Sequence, residues 1–341
     1  MTFDELIAPM PKSVFLEDYL DRKHLVLRGA PDRFAHVLPW ADIERLVEMR
    51  GIWNERNLKL FLDGAPVRWE DYCTQQRRNT EQRPVPEPER VRYWIGRGAS
   101  IILNGVDSLT PGLGSVNAAL ERAGLGGCWA NVYISWPGHP ALPLHRDSSD
   151  VFVVQVDGCK TWNIWEARDK WPSPHPAFKL PPVDQLIAQR GRLLEQITLR
   201  QGDLLYVPHG QFHEALAETT HSVHVTYGVW RPTPFDLLRQ LMERAELETP
   251  LRKPLPLRDG SAESGVAIQA AIEDAAVHLS QLFKSAGLWA EFERLIEKKL
   301  GTRPSGAKLQ AIGMRRANRL DNMERDVSDR RLASENQPPS T

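Results

Sequence analysis

Cysteine is scarce in this sequence. The 341 residues include three, Cys73, Cys128 and Cys159, which lie far apart and form no C-x-x-C pair. An odd number of scattered cysteines argues against a disulfide framework and against a structural zinc site. The pattern is typical of a protein in a reducing compartment, and we expect a cytoplasmic location.

Long hydrophobic runs are lacking as well. Apolar runs such as VFVV, residues 151–154, fall far below the roughly 20 residues that a membrane-spanning helix needs. The opening stretch MTFDELIAPM has no basic start and no long apolar core, so we do not interpret it as a secretory signal. We therefore expect no membrane partner.

The sequence also lacks an excess of charge of either sign. It has 43 basic and 44 acidic residues and a formal net charge of −1. Nucleic-acid-binding domains generally carry a basic surplus, so we expect no direct nucleic-acid partner. At roughly 150 residues per domain, the length suggests about two domains.

Short runs rich in valine, isoleucine, tryptophan and tyrosine dominate the chain from about Trp129 to Trp230. Glycine, proline and aspartate separate them, which is typical of short strands and favours a closed or sandwiched antiparallel β-architecture. Helical spacing precedes this region in SVFLEDYLDRKH and follows it in PFDLLRQLMERAELE. The polar, proline-rich residues 75–92 are predicted to form a loop or insert.

The stretch PLHRDSSDVFVVQV places His145 and Asp147 two residues apart at the start of a β-branched run. Residues i and i+2 of a strand share one face, so these side chains could supply two ligands of a metal ion. An H-x-D pair alone is more often a surface turn. The possible third ligands are His209, His213, His221 and His224.

His213 is the best placed of these histidines, because it begins a strand after the break at Pro208 and Gly210. Two histidines and one carboxylate on one face, with three coordination positions open, form the triad of non-heme Fe(II) oxygenases. His209 is expected in a turn, His221 after a polar loop, His139 in a loop over the site, and Asp203 in a turn rather than in catalysis.

Two longer stretches carry a family resemblance: NVYISWPGHPALPLHRDSSDVFVVQVDGCKTWNIWEA and LRQGDLLYVPHGQFHEALAETTHSVHVTYG. They resemble the JmjC-type Fe(II)/2-oxoglutarate oxygenases and, more narrowly, the ribosomal oxygenase or cupin-4 branch. The resemblance covers roughly residues 10–260. It implies a mainly β fold with helical additions, a double-stranded β-helix with an N-terminal α/β region and a C-terminal helical segment.

The resemblance also implies a domain organisation. Residues 1–234 would be the catalytic domain with its N-terminal elaboration, and residues 235–300 a helical segment that could form a homodimer. The polar, charged composition of residues 301–341 predicts a flexible tail. Too few residues follow the helices for the winged-helix domain of the ribosomal oxygenases, which puts their substrate in question.

Site residues carry over by position. His145, Asp147 and His213 would bind Fe(II), and Lys160 would meet the distal carboxylate of 2-oxoglutarate. Asn131 and Tyr133 would line the cosubstrate and substrate pocket, and either Thr226 or His224 could contact the cosubstrate. On the residues alone, Lys160 could instead lie at the mouth of a turn, and Tyr133 could be a core aromatic.

The implied activity is that of a dioxygenase. It would hydroxylate a C–H bond while O₂ converts 2-oxoglutarate to succinate and CO₂. The substrate would be an amino-acid side chain of a protein or, alternatively, a free amino acid, peptide or other small metabolite. A cupin that binds a metal without oxidation is the third alternative, and lysine-N-methyl demethylation ranks below hydroxylation.

Overall fold

The computed structural model describes residues 1–49, 51–78, 81–139, 142–172, 181–217 and 221–299. Residues 1–296 form one compact unit. Within the described ranges, no helix combines the length and apolar character needed to cross a bilayer. The flexible tail predicted for residues 301–341 lies outside the described residues, and the predicted domain boundaries stay a prediction.

The helices are α1 Phe3–Ile7, α2 Lys12–Val14 (continued by a π-helical turn, Phe15–Tyr19), α3 Trp40–Glu48, α4 Pro88–Gly96, α5 Pro111–Arg122, α6 Val183–Gln189, α7 Pro234–Ala245, α8 Thr249–Arg252, α9 Ala262–Phe283 and α10 Ala286–Lys299. The strands are β1 Leu25–Leu27, β2 Leu58–Leu62, β3 Ala65–Pro66, β4 Cys73–Arg78, β5 Glu81–Pro86, β6 Ser100–Asn104, β7 Gly127–Ser135, β8 Asp150–Arg168, β9 Leu193–Arg200, β10 Leu204–Val207, β11 Gln211–Leu216 and β12 Ser222–Trp230.

Ten strands form one antiparallel sheet in the order β1-β10-β8-β12-β7-β6-β2-β3, and β9 and β11 join it on the far half of β8. The separate hairpin of β4 and β5 corrects the loop predicted for residues 75–92. Val85 is fully buried in that hairpin, and Tyr72 beside it is nearly so. Pro84 and Pro86 both lie in β5, which tolerates proline because each strand of a two-stranded hairpin is an edge strand.

Strand β8 is the central element of the fold. The sequence suggests two short strands, DVFVVQVDG and CKTWNIWEA, but the structure has one strand of 19 residues. Its first half pairs with β10 and β12, and its second half pairs with β9 and β11. Gly158, with φ +64°, lies where the partners change. A glycine tolerates this conformation, so the strand bends without ending.

Side chains alternate along β8. Phe152 and Val154 belong to the large core, whereas Val151 and Val153 pack with Trp162 in a smaller cluster on the opposite face. This period of two is the signature of a strand with both faces buried. The second face lines a cavity between the two halves of the sheet.

The N-terminal helices pack on the core face of the sheet. The Phe15 ring lies 5.0 Å from that of Tyr206 on β10 and 5.7 Å from that of Phe152 on β8, measured between centroids. Phe3 on α1 lies 5.7 Å from Phe15. Edge-on aromatic packing of this kind stabilises the contact beyond the area that it buries, and it joins the N-terminal region to the sheet.

Candidate metal centre and cosubstrate pocket

The structure brings His145, Asp147 and His213 together at one end of the cavity. Asp147 Oδ1 lies 4.0 Å from His145 Nε2, and Asp147 Oδ2 lies 3.6 Å from His213 Nε2. The three candidate ligand atoms all lie within 4.8 Å of one another. Two imidazole nitrogens and one carboxylate oxygen are a donor set that suits Fe(II), so these residues fit the implied metal.

Main-chain carbonyl groups fix which nitrogen of each histidine faces Asp147. His145 Nδ1–H donates to Pro143 O at 2.8 Å, and His213 Nδ1–H donates to Gln211 O at 2.9 Å. Each Nε2 is then the unprotonated nitrogen that points at the carboxylate. Orientation of a ligating imidazole by a hydrogen bond on its other nitrogen is a general feature of metal sites.

Burial keeps His213 neutral. Loss of solvent, followed by the neighbouring His145, lowers the pKa of His213 to about 4. A histidine binds a metal in its neutral form. His213 is therefore in the ligand form at neutral pH.

The buried amine of Lys160 lies in the same cavity. Lys160 is 3% exposed, and its Nζ donates to Ser135 Oγ at 3.1 Å. Burial lowers its pKa to about 7. A buried ammonium group needs an anion to offset the loss of hydration, and a hydroxyl supplies no charge. The cavity therefore favours an anionic ligand beside Lys160.

Tyr133 and His224 form the wall beside Lys160. Their rings stack at 4.7 Å with an angle of 3° between their planes. Burial, followed by the charge of Lys160, holds the pKa of His224 well below its usual value. The buried Nδ1 of His224 has no hydrogen-bond partner among the described residues. Both side chains, with Thr226, line the cavity.

Asn131 lies differently from the other residues predicted to contact the cosubstrate. It is not among the residues that line the cavity, and its Oδ1 accepts the Gly105 N–H at 3.0 Å. Burial raises the pKa of the Tyr133 hydroxyl, and a hydrogen bond with the Asn131 side chain partly offsets the rise. Asn131 therefore contacts Tyr133, which lines the cavity, rather than the cavity itself.

Sequence reasoning missed the apolar walls of the cavity. The cavity has a volume of about 430 Å³ including its opening. The apolar residues that line it beside the polar groups are Val151, Val153, Trp162, Leu142 and Ala215. In the sequence these residues look like any other core positions. The alternation along β8 was the available signal, because it separates Val151 and Val153 from Phe152.

A second cluster contains Asp21, Asp150 and His209, whose polar atoms also lie within 4.8 Å of one another. Arg231 already pairs with both carboxylates, reaching Asp150 Oδ2 at 3.2 Å. His209 Nδ1 lies 3.2 Å from Asp150 Oδ1. This cluster is an ion-pair network that joins the N-terminal region to β8 and to the turn before His213.

The other singled-out residues have structural contacts. The Asp203 carboxylate accepts the N–H groups of Gly29 and Arg200 at 3.1 and 2.9 Å, in line with the predicted turn role. His221 pairs with Asp157 at 2.9 Å, and His139 pairs with Asp63 at 2.8 Å.

Comparison with known proteins agrees with this arrangement. Residues 117–237 match the JmjC domain family. The bifunctional lysine-specific demethylase and histidyl-hydroxylase NO66 of Aedes aegypti is 28% identical over 268 residues, covering 75% of this chain and 40% of that protein. Its counterpart in Dictyostelium discoideum is 25% identical over 258 residues, covering 75% and 48%. The chain spans less than half of the length of these two relatives.

Solved structures share the fold. Escherichia coli ribosomal oxygenase YcfD has a TM-score of 0.51 at 15% identity, covering 80% of this chain and 70% of that one. Its complex with cobalt and 2-oxoglutarate also has a TM-score of 0.51, at 16% identity, with 82% and 69% covered. The predicted mainly β fold with helical additions is confirmed. Residues 117–237 thus match the JmjC domain family, which confirms the resemblance to the JmjC-type oxygenases that the motifs carry.

Proposed function

We propose that this protein is an Fe(II)- and 2-oxoglutarate-dependent oxygenase that hydroxylates a C–H bond in an amino-acid side chain of a protein. One observation carries the proposal: the His145, Asp147 and His213 cluster and the buried amine of Lys160 face the same cavity. A metal site that leaves coordination positions open, beside a cation that needs an anion, suits a cosubstrate with both a chelating end and a carboxylate.

Each group has a distinct role in the proposed reaction. His145, Asp147 and His213 would hold the metal, which when bound supplies the activation of O₂ that couples decarboxylation of 2-oxoglutarate to hydroxylation. Lys160 and the Ser135 hydroxyl bind the far carboxylate of the cosubstrate. His224 lines the cavity, and its buried Nδ1, which has no partner among the described residues, would offer a further polar contact.

The apolar wall contributes by excluding water. Val151, Val153 and Trp162 surround the polar groups, and all three are buried. A dry cavity strengthens the attraction between Lys160 and a carboxylate, and it keeps solvent from the reacting centre.

A protein substrate is favoured because the relatives include proteins named histidyl-hydroxylase and the structural neighbours are named ribosomal oxygenases. A ribosomal protein is the first candidate to test. A free amino acid or peptide would point instead to the small-metabolite alternative.

The test measures succinate formed from 2-oxoglutarate by the Fe(II)-loaded protein, alone and with a ribosomal-protein fraction. The His145→Ala variant should abolish succinate formation. The His36→Ala variant, which changes an exposed histidine outside the site, should leave it unchanged. Succinate that is absent from the wild type, or equal in His145→Ala, would contradict the oxygenase function.

Mass spectrometry of the same reactions identifies the substrate class. A gain of one oxygen atom on a ribosomal protein supports the proposal, whereas the gain on a small molecule contradicts its substrate. Release of formaldehyde with loss of a methyl group would indicate demethylation.

We further propose that the protein is a homodimer in the cytoplasm. Helix α9 has no buried residue along its 22 positions and exposes Val266, Ile272, Val277 and Phe283. Exposed apolar side chains along one helix suit an interaction site, and a second copy of the chain is the partner that the sequence resemblance implies. The cytoplasmic location rests on the scarcity of cysteine.

A further inference from the structure

We infer that Arg146 and Asp169 act together as positioning residues that hold the metal-binding segment in place. The inference rests on the proposed metal site and assigns a role to the residue between its first two ligands. Arg146 Nη2 lies 2.5 Å from Asp169 Oδ2, and the Arg146 side chain is 9% exposed.

The direction of the Arg146 side chain follows from the strand geometry. His145 forms an antiparallel bridge with His213, so His145 and Asp147 face the cavity while Arg146 faces away from it. Because Arg146 lies on the side of the segment away from the cavity, its contacts limit how far the segment of His145 and Asp147 can rotate. The fork of donors on a guanidinium fixes a carboxylate more strictly than a single ammonium does.

The main chain of the turn before His213 holds Asp169 in turn. Its N–H donates to Gly210 O at 2.9 Å, and Gly210 N–H donates to Asp147 O at 2.7 Å. Gly210 has φ +74°, and a Cβ built on it would lie 1.8 Å from Asp169 O. The close approach of these two backbones therefore excludes any larger residue at position 210.

The neighbouring Arg168 also holds the turn before His213, through the carbonyl group of His209. Its Nε–H donates to His209 O at 3.0 Å, and its Nη1 donates to Asp21 O at 2.7 Å. Arg168, the last residue of β8, and Asp169, the next residue, thus contact both the segment of His145 and Asp147 and the turn before His213. A closed ring runs from Asp147 through Gly210 and Asp169 to Arg146 and back.

Such a ring matters because the ligand atoms must converge on one metal ion. His145 Nε2 and His213 Nε2 lie 4.0 and 3.6 Å from the two carboxylate oxygens of Asp147. The ring limits the rotations of the segment that would move these atoms apart. Residues that orient ligands in this way typically change metal affinity by about 10- to 100-fold.

The test titrates the full-length protein with Mn²⁺ alone in a calorimeter, without cosubstrate or turnover. Arg146→Gln and Asp169→Asn should each raise the dissociation constant for Mn²⁺ by about 10- to 100-fold. The double variant should be no weaker than the weaker single variant, because both changes break one interaction. Arg146→Lys, which keeps the charge and loses the fork, should lie between Gln and the wild type.

Arg192 and Glu166 provide the matched control. They form an exposed ion pair at 2.9 Å that also involves the second half of β8, outside the ring. Arg192→Gln should bind Mn²⁺ as the wild type does. Melting curves of the metal-free variants separate an effect on the site from an effect on folding.

The inference is overturned if Arg146→Gln and Asp169→Asn bind Mn²⁺ like Arg192→Gln, whether or not their melting temperatures fall. If Arg146→Gln does not fold, Asp169→Asn decides, because Asp169 is the more exposed partner. A wild type that binds no Mn²⁺ would instead contradict the proposed metal site itself.

Discussion

His145 and His213 pair across an antiparallel bridge, in which each N–H donates to the carbonyl of the other at 3.1 and 2.9 Å. Their rings lie 4.4 Å apart between centroids. The separation of two candidate ligands is thus set by main-chain hydrogen bonds rather than by flexible side chains. Pre-set geometry of this kind lowers the entropy lost when a ligand is bound.

The first prediction concerns the pH dependence of cosubstrate binding. With the pKa of Lys160 lowered to about 7, the free protein loses the Lys160 proton above neutral pH, and a bound carboxylate would restore it. The dissociation constant for 2-oxoglutarate should therefore rise with pH above 7, by up to about tenfold per pH unit. Lys160→Met should bind weakly and without this slope, whereas Lys59→Met, on the exposed side of β2, should behave as the wild type.

The same residue links stability to pH. In the unfolded chain a lysine keeps its proton to about pH 10, whereas folded Lys160 releases it near pH 7. The unfolded state binds more protons between these values, so the free energy of unfolding should rise with pH across this window. Urea titrations of the metal-free wild type and Lys160→Met at pH 7 and 9 measure the difference. Parallel changes in both proteins would contradict a depressed pKa.

A second prediction concerns the contact of the N-terminal helices. Phe15 is fully buried against Phe152 and Tyr206, while the adjacent Leu16 is 38% exposed. Phe15→Ala should lower the free energy of unfolding by about 3–5 kcal/mol. Leu16→Ala should change it by about 0.5 kcal/mol or less. Equal effects in denaturant titrations would show that the N-terminal region does not fold together with the sheet.

The bend in β8 gives a third prediction. A Cβ at Gly158 would lie 1.9 Å from His221 O, whereas one at Gly64, with φ +76°, meets nothing within 4 Å. Both alanine variants carry the strain of a left-handed backbone, about 1–2 kcal/mol. Gly158→Ala adds the clash and should melt at a clearly lower temperature than Gly64→Ala. Similar melting temperatures would mean that β8 bends elsewhere.

Oligomeric state gives a fourth prediction. Ile272 and Phe283 lie eleven residues apart, close to three helical turns, so they share one exposed face of α9. Light scattering at micromolar concentration should give twice the 38.7 kDa of the chain. Ile272→Glu should give the monomer mass, while Gln185→Glu, at an exposed position of α6, should not. A monomeric wild type would contradict the dimer.

The sequence predicted the candidate site better than it predicted the strands. His145 and Asp147 lie before β8, which begins at Asp150, so the predicted strand is wrong at these positions, but their spacing of two still places both side chains in the cavity. β11 begins at Gln211, directly after the predicted break at Pro208 and Gly210, and His213 is its third residue. The family resemblance then supplied Lys160, a residue that spacing alone leaves open.

Other features depend on contacts between distant parts of the chain. Asn131 occupies its Oδ1 with the N–H of Gly105, which follows a different strand. Gly158 looks like a strand end, yet the partners on either side of β8 continue the ladder past it. Arg146, between the two ligands of the H-x-D segment, pairs with Asp169, and no periodic pattern in the sequence relates these two residues.

Continuity of β8 limits how the cavity can be reached. Val151 and Val153 on its first half and Lys160 and Trp162 on its second half line the same cavity. One covalent strand therefore carries both pairs, and they cannot separate without breaking its hydrogen bonds to β12 and β11. The strand thus keeps the apolar wall and the buried amine at a fixed separation, whichever substrate the cavity receives.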